Sequence, residues 1–308
     1  MAGGNGTGAN AGGVVGSVAD RLIGAMPSEE TALGYLLRLS RPRFWLYLGG
    51  PVLVGVVYAA DGVGELFSPL AIALFAYFTV PANVFLYGVN DAFDAEIDAA
   101  NPKKDEGGKE VRYRDRASIR LVIVGSGLLG LALVPWLPVV AILALSVYYF
   151  LAIEYSAPPL RFKTTPALDS LSNGLYVLPG VVAYAAIDGA LPPALAIAGG
   201  WFWTMAMHTF SAIPDVEPDR AAGIRTTATV LGKRWTHAYC VAAWAASTVA
   251  FGLLDARLGA LLAVYPIAGT AIALSDVDVA RAYWWFPALN TIVGALLTMG
   301  GLWVMLHA

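Results

Sequence analysis

Long apolar runs separated by short polar intervals dominate the chain. They fall at about 42–60, 66–90, 118–136, 137–155, 166–187, 191–214, 235–253, 257–275 and 282–306, each near the ~20 residues a helix needs to cross a bilayer core. The pattern predicts an all-α integral membrane protein, a bundle of nine transmembrane helices with its termini on opposite faces. The third and fourth runs are parted only by Pro135, Trp136, Leu137 and Pro138, and prolines inside several runs predict kinks or breaks.

The polar intervals differ in charge. Arg21, Arg38, Arg41 and Arg43 precede the first run, and Lys103, Lys104, Lys109, Arg112, Arg114, Arg116 and Arg120 follow the second. Arg161, Lys163, Arg220, Arg225, Lys233, Arg234 and Arg281 lie in later even-numbered intervals, and Arg257 alone falls on the other side. The excess of bases predicts a multi-pass protein of the cell membrane whose N-terminus and even-numbered loops are cytoplasmic. The opposite loops are short and carry Asp61, Glu65, Asp188 and Asp255.

Composition agrees: 58% of residues are hydrophobic and 13% charged, with a mean hydropathy of +0.65, against about a quarter charged in soluble domains. The single cysteine, Cys240, excludes an intramolecular disulfide and reads as a small buried hydrophobe. Residues 1–19, rich in Gly, Ala and Asn, lack the layout of a secretory signal and read as a disordered tail. Residues 1–34 are thus expected to be a disordered or peripheral segment, and 35–308 the membrane domain.

The candidate chemistry is concentrated in two acidic stretches. At the end of the second run, Asn90, Asp91, Asp94 and Asp98 precede Asn101, Pro102, Lys103 and Lys104; on a helix, Asn90, Asp94 and Asp98 recur at i, i+4 and i+8 and share a face. Packed acids repel unless a cation lies between them, and Mg2+ suits one or two carboxylates completed by water and phosphate oxygens. After the sixth run come Asp215, Glu217 and Asp219, then Arg220 and Arg225. Both stretches end an apolar run on the same predicted face, where ionisable groups are costly and point to function. Two acidic clusters with bases between them suit a Mg2+-bridged diphosphate. Candidate bases come from Arg38, Arg41 and Arg43 before the first run and from the segment Tyr155 to Lys163, which includes Arg161; guanidinium groups fork onto phosphate oxygens and a lysine supplies a point charge. Arg116, Arg120, Lys233 and Arg234 read as charges that only set topology.

These motifs, ordered as Arg41-Pro42, Asn90-Asp91-x-x-Asp94-x-x-x-Asp98, Tyr155 to Lys163, and Asp215-x-x-x-Asp219 followed by Ala222-Gly223-Ile224-Arg225-Thr226, closely resemble the UbiA superfamily of intramembrane prenyltransferases. The resemblance covers the chain from about residue 35. It implies a nine-helix bundle with a central cavity open sideways to lipid and capped by cytoplasmic loops. It also implies that Asn90, Asp91, Asp94, Asp98, Asp215 and Asp219 hold Mg2+, with Asp91, Asp94 and Asp215 central to catalysis, and that Arg41, Lys163 and Arg225 contact the diphosphate, with Tyr155 and Arg161 close by.

On this reading, metal and bases stabilise departing pyrophosphate, and an allylic cation, shielded from water, is attacked by an electron-rich acceptor carbon. Phe85, Tyr87, Tyr176, Trp201, Trp203 and Phe210 are candidates to face that cation, though packing is the commoner role for such residues. His208 is read as a satisfied polar group rather than a base. The stretch from Asn101 to Arg112 lacks the Asn-Arg-Pro continuation of quinone and ether-lipid relatives and resembles the lycopene elongases. That branch implies dimethylallyl diphosphate as donor, lycopene as hydrophobic acceptor, and, in archaeal versions, a hydroxyl left on the product. No nucleic-acid partner is expected. Rival readings are an aromatic-acceptor prenyltransferase, with Asp169 and Asn173 as candidate acceptor-binding groups, a glycerophospholipid prenyltransferase, and an ion or phosphate transporter.

Overall fold

The computed structural model describes residues 26–98 and 113–307, the side chains of 96–98 excepted, and among these every regular element is helical. Residues 1–25, the stretch from Asn101 to Arg112 and the side chain of Asp98 lie outside the described residues.

A short helix, α1 (Ala32–Leu39), is capped by Thr31, whose hydroxyl accepts from the Gly34 N–H at 3.0 Å. A 3-10 turn, Pro42–Phe44, leads into α2 (Trp45–Ala59). The second apolar run forms two helices, α3 (Pro69–Thr79) and α4 (Pro81–Asp98). Pro81 has no N–H to continue the ladder, so the carbonyls before it need other donors. The fully buried Asn83 supplies them, its amide donating to Phe78 O at 3.1 Å and Thr79 O at 2.9 Å. As the spacing predicts, Asn90, Asp91 and Asp94 lie in continuous helix, on α4.

Next come α5 (Ala117–Leu131) and α6 (Val139–Glu154), joined through the proline pair Pro135 and Pro138. The fifth run opens irregularly, with one α-turn at Leu168–Leu171 and a 3-10 stretch at Ser172–Tyr176, before α7 (Leu178–Asp188). Then follow α8 (Ala194–Ser211), the short Val216–Ala221, α9 (Thr227–Leu254), α10 (Ala256–Leu262), α11 (Val264–Ala273) and α12 (Phe286–His307). The expected runs and the observed helices correspond in order, but α9 starts at Thr227, a stretch whose Lys233 and Arg234 masked its helical start in the sequence. Among the described residues, six helical spans are long and apolar enough to cross a membrane, and Val139–Glu154 is a shorter apolar helix.

Lipid tails are as apolar as leucine, so helices in a bilayer associate through close packing and hydrogen bonds rather than hydrophobic burial. Helices α2 and α7 show this: a Cβ on Gly55 would come within 2.3 Å of the Gly180 carbonyl oxygen. Large apolar side chains such as Leu121, Leu253, Ile267 and Leu274 are mostly exposed around the outside, a surface that suits lipid and not water. Inside are two buried clusters, one centred on Leu48, Phe78, Tyr148 and Val182, the other on Phe210, Trp244, Tyr265 and Phe286.

Candidate active site

Between the two clusters lies a cavity of about 220 Å³. One wall is aromatic: Phe44 packs edge-on to Tyr47 at 5.3 Å and against Tyr87 at 6.1 Å, and Tyr47 meets Tyr176 at 6.1 Å. Arg41, Asn90, Tyr155, Asn173, Thr204, His208 and Ser211 supply polar lining. Of the aromatic residues singled out in the sequence, Tyr87, Tyr176 and Trp203 line the cavity. Phe85 packs on Tyr149, Trp201 donates its indole N–H to Leu171 O at 2.8 Å, and Phe210 belongs to the second buried cluster. Phe44, Tyr47 and Tyr283 also line it, and nothing local in the sequence marks them, because distant segments bring them together.

The first acidic stretch is neutralised by bases from two separate loops. Arg41 donates from Nη2 to Asp91 Oδ1 at 2.9 Å, and Asp91 is buried. The Arg41 guanidinium also stacks 4.5 Å above the Tyr87 ring, a cation–π contact that fixes its plane. On the next turn of α4, Asp94 receives Lys163 in a close ion pair and Arg161 Nη2 at 3.4 Å. Arg161 reaches the Phe93 carbonyl oxygen too, at 3.3 Å, while its Nε is buried without a partner. Lys163 is held in place through its backbone, whose N–H donates to Tyr155 O at 3.1 Å.

The two base-bearing loops share a backbone device. Arg41 (φ 49°) and Arg161 (φ 41°) are both left-handed, and each directly precedes a 3-10 turn, Pro42–Phe44 and Phe162–Thr164. That conformation costs a residue with a Cβ about 1 kcal/mol or more, and such strain collects at functional positions. Both bends turn an arginine toward α4.

Asp215 and Asp219 are half-buried where the chain passes from α8 into Val216–Ala221, with the Asp219 N–H donating to Asp215 O at 2.9 Å. The turn closes at Gly223, whose φ of 73° is a left-handed position that glycine adopts freely. Arg220 faces back into the structure, donating from Nε to Thr229 O at 2.7 Å. Arg225, expected at the diphosphate, is exposed on this loop. Among the described residues no three His, Cys, Asp or Glu side chains converge closely enough to hold a metal as they stand. The donor set nonetheless suits Mg2+: hard carboxylate and amide oxygens, on a helix whose acids are already balanced by three bases.

Asp169, weighed in the sequence as an acceptor-binding group, has another role. It is buried and caps the start of α9: Oδ2 accepts the Thr227 N–H at 2.9 Å and Oδ1 accepts the Thr227 hydroxyl. The same hydroxyl accepts the Ala167 N–H at 2.8 Å. Asn173 remains in the cavity wall, tied by its Nδ2 to Asp169 O at 2.5 Å.

The structure is thus an apolar-sided helical bundle whose aromatic cavity opens beside carboxylates held by arginine and lysine. Residues 48–286 match the UbiA prenyltransferase family, and the chain belongs to that family. It is similar to a lycopene elongase/hydratase of Haloarcula japonica, 62% identical over 94% of this chain and 98% of that one. A lycopene elongase/hydratase of Haloferax volcanii is 58% identical over 98% and 96% of the two chains. Among solved structures, a UbiA homologue from Archaeoglobus fulgidus bound to DMAPP and Mg2+ shares the fold with a TM-score of 0.65 at 20% identity, covering 87% of this chain and 99% of that one. The chain is a multi-pass membrane prenyltransferase.

Proposed function

We propose that this prenyltransferase is a lycopene elongase, adding five-carbon units from dimethylallyl diphosphate to lycopene and leaving a hydroxyl on the product. The likeness to the two haloarchaeal enzymes along nearly the whole chain carries the choice of acceptor. Nine crossings are proposed, because Trp45–Ala59, Val139–Glu154 and Ala194–Ser211 pack within the bundle beside the six longer spans. The membrane domain is taken to begin near residue 35, within α1, and the base-rich face to lie in the cytoplasm.

Asn90, Asp91, Asp94, Asp98, Asp215 and Asp219 would hold Mg2+, which when bound supplies positive charge to the leaving diphosphate. Arg41, Arg161 and Lys163 exchange their carboxylate partners for phosphate oxygens as the donor arrives, Arg41 as a fork and Lys163 as a point charge. Tyr155 carries Lys163 through its carbonyl and sets how far the ammonium reaches into the site. Arg225 joins from the second loop. The aromatic wall of Phe44, Tyr47, Tyr87 and Tyr176 excludes water from the allylic carbon and presents π-faces to its developing charge. The acceptor's terminal double bond then attacks that carbon.

The test is expression in cells that accumulate lycopene and make dimethylallyl diphosphate, followed by mass measurement of the pigments. Products heavier by one or two five-carbon units establish donor and acceptor together. Unchanged lycopene, with the protein present in the membrane, would reject lycopene as acceptor.

A further inference from the structure

Resting on the elongase reading, we infer that His208, Tyr155 and Asn173 form the site that holds the water added to the product, with His208 receiving its proton. Attack by the acceptor's double bond forms one C–C bond and leaves a tertiary cation on the acceptor. That cation has two outcomes. Loss of a proton from a neighbouring carbon gives an alkene; capture of a water oxygen lone pair forms a C–O bond, and a proton must then leave the oxygen to give the alcohol. The second outcome needs an ordered water and a base inside a cavity that otherwise excludes water.

His208 lies in the cavity wall, and its Nε2 is 3.3 Å from the Tyr155 hydroxyl. Asn173 lies in the same cavity wall as Tyr155, its Nδ2 donating to Asp169 O at 2.5 Å. In the tautomer that donates Nε2–H to the Tyr155 oxygen, His208 carries its lone pair on Nδ1. Nδ1 forms no hydrogen bond among the described residues. A buried water needs two to four polar partners and about one probe sphere of space, and the cavity supplies both. Lys163, bonded to the backbone of the same Tyr155, keeps this niche next to the diphosphate, where the new cation arises. A histidine within one hydrogen bond of the water meets the geometric requirement for a general base.

The experiment supplies lycopene and dimethylallyl diphosphate to membranes of wild type, His208→Leu, His208→Gln and Asn173→Leu in water enriched in oxygen-18. It reads the ratio of hydrated, labelled pigment to anhydrous elongated pigment. The expected result is a ratio at least about tenfold lower in His208→Leu than in wild type, with partial recovery in His208→Gln, whose amide still binds water but is no base. A ratio within threefold of wild type in His208→Leu overturns the inference, as does wild type that elongates without taking up labelled oxygen. Absence of any elongated pigment in all three variants, with each present in the membrane, places these side chains in the transfer step and overturns it as well. Wild type that leaves lycopene unchanged rejects the elongase reading itself, and the water site falls with it.

Discussion

Lys163 rests against the Asp94 carboxylate, a pair of opposite charges, each half-buried, joining the loop after α6 to the motif helix α4. Both partners are proposed to turn toward other groups when donor and metal arrive, so the contact describes a resting arrangement that substrate must open. Lys163→Met removes the ammonium while keeping the stem. Its expected effect is a KM for dimethylallyl diphosphate raised by about tenfold or more, from loss of a charged phosphate contact; titration of initial rates against donor checks it.

Arg41 offers a stricter test of geometry. Arg41→Lys keeps the charge but loses both the fork onto oxygen and the plane stacked on Tyr87. A fall of about tenfold or more in kcat/KM is expected, and a variant with wild-type kinetics would show that charge alone suffices.

Activity is expected to vanish in chelator and return with Mg2+. Asp215→Asn is expected to raise the Mg2+ concentration for half-maximal rate by about tenfold, because it removes one hard anionic ligand. Asp91→Asn should be more damaging, since it also replaces the buried anion that half-buried Arg41 neutralises with an uncharged amide.

Asp169→Ala separates structure from chemistry. It deletes a buried carboxylate that accepts two hydrogen bonds from Thr227, and should destabilise the protein by about 3 kcal/mol. Thermal unfolding in detergent should show a clearly lower Tm, whereas Asp94→Ala should unfold near the wild-type temperature while losing transfer.

A reporter inserted in the loop around 101–117 is expected on the cytoplasmic side of the membrane, from the excess of Lys and Arg there. Reporter activity on the opposite side would reverse the proposed orientation.

The helices were legible because spans, prolines and charged intervals are local signals. So was the candidacy of Arg41, Arg161 and Lys163 for the same pocket as the acidic helix, though the sequence pointed them at a diphosphate and not at Asp91 and Asp94, which they meet in the structure. What escaped the sequence depends on distant segments meeting. Asp169 looked like a ligand-binding acid until Thr227, 58 positions later, was seen bonded to it. His208 looked like a satisfied polar group; only the juxtaposition with Tyr155, 53 positions earlier, shows that one nitrogen is engaged and makes the other informative. Asn83 is similar on a smaller scale: its role follows from the break at Pro81, and a buried asparagine in an apolar run gives no hint of it.

The two left-handed arginines bear on how the protein can be improved. Glycine at position 161 would relax the backbone there and leave Asp94 still paired with Lys163, whereas at position 41 it would strip buried Asp91 of its Arg41 partner, a loss larger than the strain relieved. A selection for heat resistance alone would therefore favour losing Arg161 early, and a selection for pigment output would keep both arginines. Libraries screened for survival at temperature and libraries screened for colour should diverge first at position 161, and a stabilised variant worth keeping would have to gain its stability elsewhere in the bundle.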